Sequence, residues 1–317
     1  MSEIRDFCNA DLPGIARVWS EHWTAAESPP QISSTIIERA ILSRTFFSSN
    51  EMLVATVDGR VEAWCHFSRP GVAGDDWESR PSSNVAVLSA ICFTHQGLGC
   101  CDDLLAAAHQ RIRENGCTEI VAGPLRDQQC GYVGLAPVGH GIGIPDDDVR
   151  ASSLLSRHGY SPEASFQRMV ATTAPYRPPV SREMMQFRRT TRAERSFVVP
   201  QQGRYASAMS HLDIEHHQLI NHRNGDRLAN VRLWLSDPEA QVMSCAEAIL
   251  DLSPTETAEQ LTSAETFLVA ALIQTMATRC IFRVETVIND EYTQLQEQLI
   301  ALQFNEVQRG QRWRKSI

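Results

Sequence analysis

Apolar and polar residues follow two periodicities along the first half of the chain. Short β-rich runs alternate with stretches whose apolar positions recur at helical spacing. Asp58-Gly59 between two such runs is a hairpin signal, and Asp11-Leu-Pro13 is a helix start. The predicted strands are Ile4–Phe7, Met52–Thr56, Val61–Ser68, a run from Leu88, Thr118–Ala122 and Phe166–Ala171, and the predicted helices are Asp11–Trp23, Asp102–Glu114 and Asp146–His158. This order predicts an α/β fold with a mixed, α+β type of sheet.

A proline-rich segment, Thr172–Val180, divides the chain and reads as a stiff, extended linker. We therefore expect one domain over residues 1–173 and a second over residues 174–317. An offset of 163 residues superposes Cys117 on Cys280 and Val121 on Val284, so the order of helix and then strand recurs in the second half. Two related domains in tandem are the expected architecture.

Composition narrows the functional classes. The chain has 317 residues, of which 38 are acidic and 29 basic, for a formal net charge of -9. Nucleic acid and anionic membranes bind basic surfaces, so neither is an expected partner. The 9 cysteines show no CxxC spacing, which argues against disulfides and zinc. No apolar run suggests a signal peptide or a membrane helix, and the expected location is the cytoplasm.

A turn with two glycines follows the strand that begins at Leu88. Gly97 and Gly99 let the backbone approach a ligand closely, and the amides at the start of the next helix suit a phosphate or pyrophosphate. In the alternative interpretation, this is a plain turn whose glycines serve packing alone. A nucleotide-binding enzyme is less favoured, because the turn lacks the Lys-Ser/Thr of a P-loop and does not open a βαβ unit.

The turn and the surrounding order of elements resemble the GNAT superfamily of acyl-CoA-dependent N-acyltransferases, whose loop reads Q/R-x-x-G-x-G/A. The segment Gln96-Gly97-Leu98-Gly99-Cys100-Cys101 fits this pattern except at its end, where Cys101 replaces the small final residue. Phe93 stands where a proline is common. The resemblance implies acetyl-CoA as co-substrate, without a metal. It places the pyrophosphate on Gln96, Gly97, Leu98, Gly99, Cys100 and Cys101, and the pantetheine on Ala90 and Ile91.

The equivalent of this loop in the second half is Glu259-Gln-Leu-Thr-Ser-Ala264, which has neither glycine. Thr262 and Glu265 instead form the pattern of a capping box, and Glu259 adds a negative charge near the phosphate position. The resemblance therefore implies a degenerate GNAT copy that does not bind coenzyme. The alternative is an unrelated α+β domain.

Acyl transfer to an amine requires an acid for the departing thiolate and a base for the amine. GNAT proteins often use a tyrosine acid near the last helix, and the resemblance makes Tyr132 the candidate. It lies in the glycine-rich loop Gly123–Pro145, with Asp127 and His140 as the other proton-exchanging groups. A mobile surface loop with a partly buried tyrosine is the alternative interpretation.

Glu62 and His66 are the candidate bases, because residues four apart on a strand share a face. Both could instead be structural, and His95 beside the loop could contact a coenzyme phosphate. His216-His217 and His222 lack a third ligand at metal-binding spacing. The basic and aromatic segment Arg309–Lys315 fits a closing edge strand of the second domain at least as well as an RNA contact.

Taken together, these features predict an acetyl-CoA-dependent N-acetyltransferase acting on an unidentified small-molecule or peptide amine. The alternative is a catalytically inactive acyl-CoA-binding regulatory or sensor protein, since no acid or base is clearly marked. The residues leave the acceptor and the oligomeric state open.

Overall fold

The computed structural model describes residues 2–23, 32–70, 84–124, 126, 131–199, 203–237, 242–244 and 246–317. These residues divide into two compact units. The first unit comprises Met1–Ser165, Pro200–His211 and Gly310–Ile317, and the second comprises Phe166–Val199 and Leu212–Arg309. Each unit therefore contains chain segments from both sides of the proline-rich segment, unlike the linear division expected from the sequence.

The strands and helices predicted for the first half are present in the predicted order, with shifts at their ends. The helices are α1 Leu12–His22, α2 Ser34–Ile37, α3 Cys101–Glu114, α4 Val149–Arg157, α5 Arg182–Thr190, α6 Gly203–Ala208, α7 Ser263–Met276 and α8 Thr293–Ala301. The strands are β1 Ser2–Asp6, β2 Met52–Val57, β3 Arg60–Ser68, β4 Val85–Phe93, β5 Glu119–Ala122, β6 Ile144–Pro145, β7 Ser161–Thr172, β8 Thr191–Val198, β9 Leu212–Asn221, β10 Arg227–Ser236, β11 Glu247–Asp251, β12 Arg283–Asn289 and β13 Asn305–Ser316.

The sheet of the first unit is mixed. β1 to β4 pair antiparallel in chain order, and β5 then pairs parallel to β4. One face carries α3, whose Leu104, Leu105 and Ala108 pack in a core with Ala63 and Cys65 of β3. The opposite face carries α1, which contacts β3 and β4. Because the residues of β3 alternate between these faces, Glu62 and His66 lie on the α1 side.

The C-terminal segment belongs to the first unit. Trp313 pairs with Ala122 of β5 and joins the α3 core, and the amide of Ile317 donates to the Thr118 carbonyl. The expected closing strand Arg309–Lys315 is thus a strand, but the interpretation of it as an edge of the second domain was wrong. Its pattern predicts an extended conformation, whereas its partner is a distant strand that no local pattern identifies.

The second unit repeats the same succession of elements. β8, β9 and β10 form an antiparallel meander, β11 joins β10, and β12 pairs parallel to β11 after the helix α7. Residues 166–172 of β7, expected to close the first domain, pair antiparallel with β12. A separate apolar core lies between α7 and these strands. No helix in the described residues combines the length and apolar character that a membrane span needs.

Candidate functional site

β5 ends opposite the middle of β4. The parallel pairing of the two strands ends at Leu88 and Ala122, while β4 continues to Phe93 along β3. Ser89 is an extra residue in the ladder, because His66 pairs with Ala90 and the next β3 residue pairs with Leu88. Such a bulge changes the direction of the strand next to it. The strand end from Ala90 to Phe93 therefore extends beyond β5.

A buried histidine lies at the far end of this strand. The Phe93 amide donates to His22 Nδ1 at 3.1 Å, and His22 Nε2 lies 2.9 Å from Asp148 Oδ2. A carboxylate only accepts, so Nε2 carries the proton and donates it to Asp148. The Phe93 amide therefore points away from β3. Because backbone groups alternate in direction along a strand, the amide and carbonyl of Ile91, two residues earlier, also point away from β3. Sequence patterns gave no signal for the roles of His22 and Asp148, because 126 residues separate them.

The glycine turn is a short 3-10 helix, Gln96–Cys100, followed directly by α3. In such a helix each amide donates to the carbonyl three residues earlier. The Cys101 amide donates to Leu98 in this way, while the Gly97 amide donates to Thr94 Oγ1 at 3.1 Å. Pyrophosphate binding by these amides therefore requires the turn to rearrange.

The residues of the turn fall into two groups. Gly97, Cys100 and Cys101 are buried, and both thiols donate to the Gly97 carbonyl. Burial raises the pKa of the Cys101 thiol to about 12, so it stays protonated. Gln96, Leu98 and Gly99 are exposed, and a Cβ at Gly99 would meet no atom within 4 Å. Only this exposed group offers a surface to a ligand.

Acidic groups stand at the start of α3. Asp102 and Asp103 occupy its first turn. Asp102 is paired with Arg157 at 3.1 Å and with His158 at 2.9 Å, and these partners lower the pKa of its carboxyl. A helix N-terminus attracts anions, but carboxylates in the first turn offset that attraction. The turn is therefore a weaker anion site than its glycines alone suggest.

Glu62 is a buried carboxylate with two side-chain partners. Arg17 of α1 contacts its Oε1 at 3.0 Å, and the Thr94 hydroxyl donates to its Oε2 at 2.5 Å. Its backbone carbonyl accepts from the Thr94 amide at 2.9 Å. Oε2 and the backbone carbonyl thus hold Thr94, at the end of β4, against β3, while Oε1 ties β3 to α1.

His66 and Tyr132, in contrast, come together. The Tyr132 hydroxyl lies 2.7 Å from His66 Nδ1, and both residues are buried, at 2% and 4% exposure for Tyr132 and His66. Burial lowers the pKa of His66 to about 3, so the ring is neutral near pH 7. Among the described residues, His66 Nε2 has no hydrogen-bond partner. Since His66 pairs with Ala90, this dyad lies where β4 extends beyond β5.

Aromatic residues hold the dyad. The Trp19 ring stacks on Tyr132 with centroids 6.0 Å apart and contacts Trp64 at 5.6 Å. Trp19 Nε1 donates to the Ala136 carbonyl at 3.2 Å, which fixes the loop that carries Tyr132. The described part of the loop around Tyr132 therefore packs on α1, and Tyr132 is fully rather than partly buried. Of the other proton-exchanging candidates, Asp127 lies outside the described residues.

His140 and His95 are the two remaining histidine candidates near the loop and the turn. The His140 carbonyl accepts from Arg126 Nε at 3.1 Å. His95 is exposed directly before the glycine turn, as a phosphate contact would require.

A segment distant in sequence also packs on the first unit. Arg44 Nε donates to its own helical turn, and its guanidinium donates to the Ser207 carbonyl at 2.6 Å and contacts His211 Nδ1 at 3.1 Å. His211 Nε2 in turn bonds the carbonyl of Val133, next to Tyr132, at 2.8 Å. Burial lowers the pKa of Arg44 to about 10, which leaves it charged. Sequence reasoning missed this segment because 163 residues separate Arg44 from Ser207.

The equivalent turn of the second unit contains a carboxylate cap. Thr262 and Glu265 form the predicted capping box at the start of α7. Glu265 is buried, and its carboxylate accepts from the amides of Glu256 and Thr262 at 2.7 and 2.8 Å. The chain's own carboxylate thus lies at this helix start and caps it.

The paired histidines of the second unit have structural partners. His217 Nε2 contacts Glu215 at 2.9 Å, and Arg279 binds the same carboxylate through two contacts of 2.7 and 2.8 Å. These partners lower the pKa of Glu215 to about 2 against the effect of its burial. No group of three or more histidine, cysteine or acidic side chains in the described part of the chain could hold a metal ion.

Comparison with known proteins rests on structure alone, because no protein-family model and no curated protein matches the sequence. A tandem GNAT protein from the clavulanic acid biosynthesis pathway, solved without acetyl-CoA, matches 100% of this chain and 98% of its own, with a TM-score of 0.66 and 11% identity. A GCN5-related N-acetyltransferase from Sphaerobacter thermophilus matches 99% of this chain and 95% of its own, with a TM-score of 0.60 and 13% identity.

A glucosamine N-acetyltransferase region of a fungal multi-domain GH3 β-N-acetylglucosaminidase matches 99% of this chain, with a TM-score of 0.69 and 12% identity. This chain spans 38% of that larger protein. The chain therefore has the fold of the GCN5-related N-acetyltransferases in their tandem form, as the sequence resemblance predicted.

Proposed function

We propose that the protein is an acetyl-CoA-dependent N-acetyltransferase whose coenzyme binds to the first unit and whose acceptor is a small-molecule or peptide amine. The observation that carries the proposal is the buried contact between Tyr132 and His66, 2.7 Å long, at the point where β4 extends beyond β5. A thioester bound at that point would have beside it a phenol able to protonate the departing thiolate and a neutral imidazole able to accept a proton from the amine.

The coenzyme in this proposal runs along the free end of β4. Ile91, which turns its backbone amide and carbonyl away from β3, would bond the pantetheine, with Ala90 beside it. The exposed residues Gln96, Leu98 and Gly99 would receive the pyrophosphate after the 3-10 turn opens. Gly97, Cys100 and Cys101 would support the turn from beneath, since they are buried.

The second unit is proposed as a degenerate copy without coenzyme. The Glu265 carboxylate lies at the start of α7, where it accepts from the amides of Glu256 and Thr262, so a pyrophosphate would meet a negative charge there.

Calorimetry with acetyl-CoA, CoA, NAD and ATP, followed by measurement of CoA release with a panel of amines, tests this proposal. Acetyl-CoA is expected to bind and an acceptor amine to release CoA. Binding of NAD or ATP without any CoA ester would remove the assignment.

A second candidate function keeps the coenzyme and drops catalysis. Two features favour it: the Gly97 amide of the glycine turn already donates to Thr94, and carboxylates stand at the start of α3. Coenzyme binding would then require the turn to rearrange, as regulated binding does. Tight acetyl-CoA binding with no CoA release from any amine would support this acyl-CoA sensor.

A further inference from the structure

A small cavity lies beside the His66 ring. It is lined by Ile41, Phe46, Phe47, Glu51, His66 and Ser68. The Phe47 ring contacts the imidazole with centroids 5.6 Å apart. The cavity measures about 10 Å³, room for roughly one water molecule. The residues that line this space thus include a carboxylate, two aromatic rings and His66, whose Nε2 has no hydrogen-bond partner among the described residues.

The carboxylate makes this space attractive to a cation. Burial raises the pKa of Glu51, while the charges of Arg204 and Arg69 act in the opposite direction. A half-buried carboxylate attracts a nearby positive charge more strongly than an exposed carboxylate does, because screening by water is reduced. Aromatic faces such as those of Phe46 and Phe47 attract the same kind of group.

The chain itself places a cation here. The Arg204 guanidinium carbon lies 4.1 Å from the centre of the Phe46 ring. Arg204 belongs to α6, and that segment is held on the first unit through Ser207 and His211, which both contact Arg44. The position of Arg204 against the Phe46 ring is therefore set by a segment that these contacts hold in place.

We propose, on the basis of the proposed function, that the acceptor carries a guanidinium or ammonium group that binds between Phe46, Phe47 and Glu51 by displacing Arg204. Arg204 then acts as an internal competitor that occupies the cation position until the acceptor arrives. His66, which lines the same cavity, would position the amine of the bound acceptor beside Tyr132.

The probe pair n-butylguanidinium and n-butylurea tests this site directly. The two have nearly the same shape and differ in charge. Calorimetry on the full chain without coenzyme measures both affinities. Arg204→Ala is expected to bind n-butylguanidinium about tenfold more tightly than the unaltered protein, because the competitor is gone, and to leave n-butylurea binding unchanged.

Two further variants sharpen the result. Glu51→Gln in the Arg204→Ala background should abolish the gain, since it removes the charge that the cation meets. Arg189→Ala removes an exposed arginine on α5 in the second unit and should change neither affinity. Arg204→Met keeps the length of the side chain and replaces Arg204→Ala if the latter does not fold.

Equal affinity for the two probes, or a gain that survives Glu51→Gln, would overturn the cation site. Acetyl-CoA binding is measured on the same samples. Binding of n-butylguanidinium as expected, without binding of any CoA ester, would support the cation site and contradict acetyl transfer. Binding of acetyl-CoA without the expected n-butylguanidinium binding would contradict the cation site alone.

Discussion

Gly97 packs directly against the backbone of Glu62. A Cβ at Gly97 would lie 2.0 Å from the Glu62 carbonyl oxygen, a distance that no side chain tolerates. Gly99, two residues later, faces open space. The two glycines of the turn therefore have different roles: Gly97 allows the turn to rest on β3, and Gly99 leaves room above it.

This difference predicts that one substitution affects stability and the other affects coenzyme binding. Gly97→Ala should lower the free energy of unfolding by about 1–3 kcal/mol, because backbone must move to admit the methyl group. Gly99→Glu should leave the fold nearly unchanged and abolish acetyl-CoA binding, because it places a negative charge where the pyrophosphate docks. Denaturant unfolding and calorimetry measure the two effects.

Gly99→Ala is the matched control for Gly97→Ala and should be close to neutral in stability. A folded Gly99→Glu variant with unchanged coenzyme affinity would show that the turn serves packing alone.

Stoichiometry provides a second prediction. The intact chain should bind one acetyl-CoA, and Gly99→Glu should bind none, because Glu265 blocks the equivalent helix start of the second unit. A truncated chain beginning near Val180 cannot decide this, since it lacks residues 166–172, which pair with β12. Two equivalent sites on the intact chain would mean that the second unit has kept its coenzyme site.

Tyr132→Phe distinguishes an enzyme from a sensor. If the phenol protonates the leaving thiolate, its loss should lower kcat by ~10²-fold, while acetyl-CoA affinity stays nearly constant. CoA release by the unaltered protein and the variant, with an amine identified from the panel, measures this. Equal rates would exclude Tyr132 as the acid, and a lost fold would appear as a lower Tm.

The C-terminal strand predicts an unusual dependence of the first unit on the end of the chain. Trp313 is 8% exposed and packs with the α3 core, so Trp313→Ala should cost about 3–5 kcal/mol. Arg309→Ala, an exposed position just before this segment, is the control and should cost little. Thermal unfolding of both variants compares them, and similar Tm values would contradict the role of Trp313.

The sequence predicts local structure well where apolar spacing and turn chemistry decide it. The order of strands and helices, the capping box of Thr262 and Glu265, and the shared face of Glu62 and His66 follow from such patterns. That shared face did not place both side chains in one site, because four residues along a strand span about 13 Å. Glu62 lies at the glycine turn and His66 lies at Tyr132.

Long-range partners were beyond the sequence patterns. The contacts of Arg204 with Phe46 and of His22 with Asp148 join residues that no periodicity links. The partner of the C-terminal strand is likewise set by the sheet as a whole, since alternation defines a strand but not its neighbour.

Two buried histidines predict acid sensitivity. Burial lowers the pKa of His66 and of His109 from 6.5 to about 3. Between these values the unfolded chain binds protons that the folded chain does not, so stability is retained above pH 6.5 and lost as the pH falls toward 3. Each histidine should contribute a slope of about 1.4 kcal/mol per pH unit in that window. His109→Gln, which keeps a donor toward Tyr160, should flatten the urea-unfolding free energy against pH by one such slope, and an unchanged slope would show that His109 is protonated in the folded protein.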